Sequence, residues 1–446
     1  MSREIERQIA RAVREKGGRA YYVGGCVRDR LLGRPGSDTD IEVHGLEPAD
    51  LFALLSQIGE PLSYGSSFGI YSLKGLDLDI ALPRREHATG RGHRDFEVFV
   101  DPHIGPQAAA RRRDFTVNAL MEDVLTGEIL DPFGGREDLA AGILRHVDDA
   151  SFGEDPLQVL RCGQFAARFG FRVHPDTLAL CASMELRSLS RERVEGELKK
   201  ALLQGQKPSV FFEFLRQTGQ LNDWFPELQA LIGIEQDPKF HPEGDVWVHT
   251  MEVLDRAASM RGEAAQPYAF MLLALTHDLG KAGTTEFVNG RIHSYDHENA
   301  GVVPAGQLLA RLVSEKAVRD TVLNMIALHM KPNVTAYHRS APKVTNRMFD
   351  EAAEPGDLIL MAMADKPLWA GDVRFDGDRA FLEQRLELYR QTMAAPYVQG
   401  RDLIAAGLPP GEHFAELLEY AHKLRLAGIE KDNALKQTLA YARKMK

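Results

Sequence analysis

Asp38 and Asp40 flank a single threonine at the start of an alternating polar and apolar run, Asp40-Ile41-Glu42-Val43. In a strand, residues i and i+2 point to one face, so the two carboxylates can converge on one cation. Magnesium favours a few carboxylates together with substrate phosphates, and this pair suits it. A second alternating run, Leu78-Asp79-Ile80-Ala81-Leu82, offers Asp79 as a third carboxylate. Upstream, Gly24-Gly25 lets the backbone come close to a phosphate at the start of a helix, and Arg28 follows one turn later. Alone, Asp-x-Asp also describes a turn with two solvated acids. The glycine pair, Arg28 and the downstream run Arg112-Arg113-Asp114-Phe115-Thr116 weigh toward phosphate chemistry.

The other half of the chain carries a different set: His249, the adjacent His277-Asp278 followed by Leu279-Gly280-Lys281, then His297, His329 and Asp365. A neighbouring His and Asp can both ligate one metal where a helix bends or ends. Imidazole with carboxylate suits Mn, Fe, Ni, Co or Zn better than Mg or Ca. A metal in such a site lowers the pKa of water for attack on a phosphoester. Lys281 can offset the charge of the phosphate. One histidine is ordinarily a core or surface residue, but six groups in this order are harder to dismiss.

These residues need elements to position them. The first ~20 residues read as a helix closed by Gly17-Gly18, followed by a short strand at Tyr21-Tyr22-Val23 and a helix opened by Gly24-Gly25. Asp40–Val43 and Leu78–Leu82 read as strands. Residues 84–113, rich in Arg, His and Gly, read as a mobile loop, and Asp131-Pro132-Phe133-Gly134-Gly135 as a turn. From about residue 154 the pattern is helical almost to the end. The expected class is multidomain α+β, an α/β head followed by an all-helical remainder.

Length and composition agree. The chain has 446 residues, enough for about three domains. No apolar run reaches the ~18 residues of a membrane span, and the charged N-terminus lacks a signal-peptide core. Cys26, Cys162 and Cys181 form no C-x-x-C, so the expectation is a reduced, cytoplasmic protein. The net charge of −10 argues against nucleic acid on its face. Contact with phosphates depends on local patches, however, and the stretch 421–446 carries seven Lys and Arg against two acids.

The motifs carry a resemblance. Val23-Gly24-Gly25-Cys26-Val27-Arg28-Asp29, Leu31-Leu32-Gly33 and Asp38-Thr39-Asp40 resemble the first motif of the bacterial (class II) CCA-adding tRNA nucleotidyltransferases and poly(A) polymerases. Arg112–Ala119 resembles their second motif, and Asp131–Gly135 with Asp138-Leu139 their third. The likeness extends through Gly153–Leu157 and Glu192-Arg193-Val194 to Gly400–Ile404 and Gly407-Leu408. His249, His277, Asp278 and Asp365 resemble the signature of HD metal-dependent phosphohydrolases, with His297 and His329 in positions for a second metal.

The resemblance implies a polymerase β-like nucleotidyltransferase head at 1–145, then a helical neck and body at 146–235 for nucleotide selection and RNA binding. It further implies an HD domain at 236–375 and an RNA-binding helical tail at 376–446. Asp38 and Asp40 would hold Mg²⁺, with Asp79 as base or metal-orienting group. Gly24, Gly25, Arg28, Arg113 and Asp114 would bind the nucleotide. The implied partners are tRNA, ATP and CTP, with no membrane. At the HD site the implied cofactor is Ni, Mn, Co or Fe, and the substrates are 2′,3′-cyclic or terminal phosphates.

The family selects the incoming base with protein side chains, in an E-D-x-x-R motif. Glu154 and Asp155 are present here, but Gln158 stands at the arginine position and Gln164 replaces a second arginine, while Arg161 and Arg168 remain. Glutamine donates to a ring nitrogen but lacks the charge-assisted fork of arginine. Three readings stay open: ordinary CCA addition, altered choice such as A-only addition, or a head that has lost efficient polymerisation. A poly(A) polymerase and a phosphohydrolase with a vestigial head are the corresponding alternatives for the whole chain.

Overall fold

The computed structural model describes residues 2–34, 39–63, 69–88, 96–367 and 371–445. The chain forms two compact units, one of residues 1–201 and 210–223, the other of 202–209 and 224–446.

The first unit is built on a seven-stranded mixed sheet. Helix α1 (Ser2–Glu15) buries Ile9, Ala10 and Val13 on one face and packs on β1 (Arg19–Val23), whose Tyr21, Tyr22 and Val23 are buried. Helix α2 (Gly25–Leu31) leads to β2 (Thr39–His44), and α3 (Pro48–Ile58) to β3 (Pro61–Ser63), β4 (Ile70–Leu73) and β5 (Leu78–Ala81). β1 runs antiparallel to β2, whereas β2 and β5 are parallel.

Segment 84–113 corrects an expectation. In place of a mobile loop, its described part contains β6 (Arg84–Ala88) and β7 (Phe96–Val100), an antiparallel pair, and helix α4 (Pro106–Arg111). The run Phe96-Glu97-Val98-Phe99-Val100 is aromatic and β-branched enough to pair, which the surrounding Arg, His and Gly obscured. β8 (Met121–Asp123) and β9 (Ile129–Leu130) complete the sheet in the order β3-β4-β5-β2-β1-β8-β9. Helices α5 (Gly135–Ala141), α6 (Asp149–Gly153) and α7 (Leu157–Phe169) follow.

The second unit is mainly helical. Helices Pro267–Thr276 and Pro355–Ala364 are buried along nearly their whole length, as expected of helices apolar on every side. Both pack against the helix Val246–Met260, which Asp245 caps through Val248 N at 2.9 Å. The expected helical remainder is broken at Thr285–Val288 and Arg291–Ser294, an antiparallel hairpin. Asn289 and Gly290 at its tip have φ of 51° and 79°, the backbone that a two-residue hairpin turn demands. Among the described residues, no helix is long and apolar enough to cross a membrane.

Candidate active sites

In the first unit the chain converges at one end of the sheet. Gly24, at the head of α2, has φ 71° and ψ −135°, which disfavours any residue with a Cβ. A Cβ there would lie 3.0 Å from Arg113 Nη1 and 4.0 Å from Asp40 Oδ2, so glycine, carboxylate and guanidinium share one small space. The parallel register of β2 and β5 sets Asp40 opposite Asp79, which puts the two side chains on one face. Asp38 lies outside the described residues.

Arg113 owes its position to Glu42, two residues beyond Asp40 on the same strand face. Glu42 is buried and faces Arg113 Nη2 at 3.3 Å, Arg112 at 3.7 Å and His44 Nε2 at 3.0 Å. Burial pushes its pKa up, but the His44 hydrogen bond and the arginine charges outweigh that and lower it to about 2. Sequence reasoning passed over Glu42. The signal was there, because Asp38, Asp40 and Glu42 continue one period of two.

Arg28, expected at the triphosphate, and Asp114, expected to bind the nucleotide, are both enclosed. Arg28 pairs with Asp29 at 2.8 Å and donates to Asn118 Oδ1 at 2.5 Å, with its guanidinium 4.4 Å from the centre of the Phe169 ring. Asp114 accepts from Arg161 Nε at 3.0 Å, Asn118 Nδ2 at 2.8 Å and the Phe115 amide at 2.8 Å. Burial would raise the Asp114 pKa, but Arg161 and Asn118 hold it below the usual carboxylate range. These pairs tie α2 and the segment after α4 to α7.

Of the residues expected to select the base, Glu154 is exposed just after α6. Asp155 accepts from Arg193 Nη2 at 2.6 Å and from the Leu157 amide at 3.1 Å. Gln158 lies in the first turn of α7, its Oε1 buried without a hydrogen-bond partner, and Gln164 Nε2 is in the same condition.

In the second unit all six expected groups meet. His277 caps the end of Pro267–Thr276, so the His-Asp step falls where the helix stops. Asp278 Oδ2 lies 3.2 Å from His277 Nε2, 3.5 Å from His249 Nε2 and 2.7 Å from Lys281 Nζ. Its Oδ1 faces His297 Nε2 at 3.3 Å and His329 Nε2 at 4.0 Å. Asp365 Oδ1 completes the first set, 3.0 Å from His249 and 3.7 Å from His277. Two donor sets, His249-His277-Asp365 and Asp278-His297-His329, are each compact enough for one cation, and Asp278 faces both.

The donor set fits a pair of divalent metals. His277 Nε2 is fully buried without a well-formed hydrogen bond. Burial lowers the His329 pKa to about 4 and His277 adds to the effect, so this imidazole is neutral at pH 7. Against burial, the neighbouring His277 and Lys281 hold Asp278 well below the usual carboxylate range. Neutral imidazole and ionised carboxylate are the forms that ligate a metal. His249 differs: burial opposes its charge, yet bonds to Asp365 and Glu243 raise its pKa to about 9. Its ring lies between the two, Nδ1 2.7 Å from Glu243 and Nε2 3.0 Å from Asp365.

A mixed sheet with paired strand carboxylates beside a glycine turn and a carboxylate-held arginine defines a nucleotidyltransferase head. Residues 20–145 match the family model of the poly A polymerase head domain, and residues 170–232 that of the probable RNA and SrmB-binding site of polymerase A. The chain is 39% identical over 410 residues to the multifunctional CCA protein of Nitrosococcus oceani, covering 90% of this chain and 95% of that one. It is 38% identical over 435 residues to the multifunctional CCA protein of Xanthomonas campestris pv. campestris, covering 94% and 99%. The chain therefore belongs to the bacterial CCA-adding tRNA nucleotidyltransferase and poly(A) polymerase family. Its fold is similar to that of the Thermotoga maritima CCA-adding enzyme solved with tRNA, at TM-score 0.65 and 21% identity over 98% of this chain and 95% of that one. It is equally similar to the Bacillus stearothermophilus CCA-adding enzyme solved with CTP, at TM-score 0.65 and 22% identity over 98% and 97%.

Proposed function

We propose that the protein adds and repairs the 3′-terminal CCA of tRNA from CTP and ATP without a nucleic-acid template. The convergence of Gly24, Asp40 and Arg113 beside Asp79 carries this reading, and the names of the relatives support it. Asp38 and Asp40 are the carboxylates for Mg²⁺, which when bound neutralises the triphosphate and favours ionisation of the RNA 3′-hydroxyl. The hydroxyl oxygen attacks the α-phosphorus in line, the bond to the β-phosphate oxygen breaks, and pyrophosphate leaves. Arg113 stabilises charge on the phosphates, with Glu42 fixing its direction. Arg28, Asp114 and Arg161 brace the floor beneath. The division of labour follows 1–145 for chemistry, 146–235 for selection, 236–375 for hydrolysis and 376–446 for RNA.

The cluster of the second unit is a divalent-metal phosphohydrolase site acting on 2′,3′-cyclic or terminal phosphates, with Ni, Mn, Co or Fe as cofactor. Its support is Asp278, which faces two compact donor sets at once. Such metals, when bound, activate water and polarise the phosphate. Lys281 brings a cation beside Asp278, where it offsets charge on the phosphate. Extension assays on tRNA ending in CC and on a generic oligo(A) RNA test the first activity. Addition of a single A to the tRNA, with the oligo(A) left unextended, is the expected result. Processive extension of oligo(A) would identify a poly(A) polymerase instead.

Gln158 makes base choice looser than an arginine would. Its buried, unpartnered Oε1 awaits a donor, whereas arginine would offer only donors. A bidentate pair contributes about 1–3 kcal/mol of discrimination, so Gln158→Arg should reject UTP and GTP roughly tenfold to a hundredfold more strongly. Single-turnover incorporation of each nucleotide on tRNA lacking A or CCA measures this. Equal rejection by the two proteins would disprove it.

A further inference from the structure

We infer that Glu243 is a positioning residue of the metal cluster, holding the His249 imidazole with its Nε2 directed at the cation site. The inference rests on reading the cluster as a metal centre. Each of the four histidines turns Nε2 inward and engages an acceptor through Nδ1. For three of them that acceptor is the carbonyl three residues back: Ala274 for His277 at 2.9 Å, Ser294 for His297 at 2.9 Å and Ile326 for His329 at 2.7 Å. His249 departs from the pattern. The carbonyl three residues before it, that of Val246, already accepts from Thr250 Oγ1 at 2.8 Å. His249 Nδ1 instead lies 2.7 Å from Glu243 Oε1.

Glu243 sits in the turn that precedes the helix Val246–Met260, and the same Oε1 is 3.0 Å from His241 Nδ1. A carboxylate as acceptor does more than a carbonyl. It fixes the tautomer with the proton on Nδ1, and its charge makes Nε2 a stronger donor to a metal. The cluster thus has three histidines set by backbone carbonyls and one set by a side chain that substitution can remove. His241, Glu243 and His249 Nδ1 are also close enough together to hold a cation of their own. A proton on Nδ1 excludes that arrangement.

The test is Co²⁺ binding to the full chain, followed by competition with a chromophoric chelator and by the visible absorption of the bound ion. Wild type should bind two equivalents. Glu243→Ala should weaken the His249 site by about tenfold to a hundredfold. Glu243→Gln, which keeps an acceptor but no charge, should fall between them with a shifted cobalt spectrum. The melting temperature of the metal-free protein should fall less in Glu243→Gln than in Glu243→Ala, and cobalt affinity and spectrum read on the folded variants separate positioning from folding. Unaltered affinity and spectrum in both variants would overturn the inference while leaving the metal centre standing. Complete loss of one equivalent with the other unaffected would make Glu243 a ligand and overturn it too. A wild-type protein that binds no cobalt would overturn the metal centre itself, and the inference with it.

Discussion

Asp40→Ala is expected to abolish nucleotide addition and spare cyclic-phosphate hydrolysis, while Asp278→Ala does the reverse. The argument starts from position. Asp40 lies on a strand of the first unit, across the register from Asp79 and 4.0 Å from where a Cβ on Gly24 would be. Asp278 lies in the second unit, within 3.2–4.0 Å of four imidazoles through its two oxygens. On the proposed assignment each carboxylate serves its own phosphate chemistry. A metal contributes several kcal/mol to a phosphoryl transition state, and about 4 kcal/mol corresponds to roughly a thousandfold in rate. Incorporation of labelled CTP and ATP on tRNA lacking CCA, beside hydrolysis of 2′,3′-cyclic CMP, reads both activities. Asp278→Ala also strips Lys281 and the imidazoles of a buried anion, a change that costs stability. Asp278→Asn preserves the shape and should lose hydrolysis with less unfolding. Loss of both activities in folded Asp40→Ala or Asp278→Asn protein would sink the assignment of two independent sites.

Legibility from the sequence differed from residue to residue. The alternation at 40–43 and 78–82 gave the two strands, and order alone gave the six groups of the second unit. Pairing is another matter. Nothing in a single chain states that β2 and β5 run parallel with Asp40 opposite Asp79, since register depends on the whole sheet. Arg28 looked like a phosphate ligand because its spacing from Gly24 allows it. Its enclosure comes from Asn118, ninety positions away, and from Phe169. Glu42 and Glu243 escaped because each acts through another side chain, and no local pattern distinguishes such an acid from a solvated one. The hairpin at 285–294 was readable from Asn289-Gly290, a turn signal lost amid helical periodicity.

Gly280→Ala should dismantle the second donor set without touching a ligand. A Cβ on Gly280 would lie 2.0 Å from the His297 carbonyl oxygen, 2.6 Å from Gly301 N and 2.9 Å from the His297 carbonyl carbon. All three are backbone atoms, so no rotamer change relieves the clash. The short helix His297–Ala300 must move outward, and His297 moves with it. Its Nε2, now 3.3 Å from both Asp278 Oδ1 and His329 Nε2, leaves the set. Overpacking of this kind costs roughly 1–3 kcal/mol or more, seen as a lower melting temperature without metal. His297→Ala provides the control, removing the ligand with no clash. Both variants should bind one transition-metal equivalent where wild type binds two, but only Gly280→Ala should lose that stability in the metal-free state. Two full equivalents in a folded Gly280→Ala protein would mean that His297 is not needed for the second site. That result would leave the second metal on Asp278 and His329, with His297 outside the set.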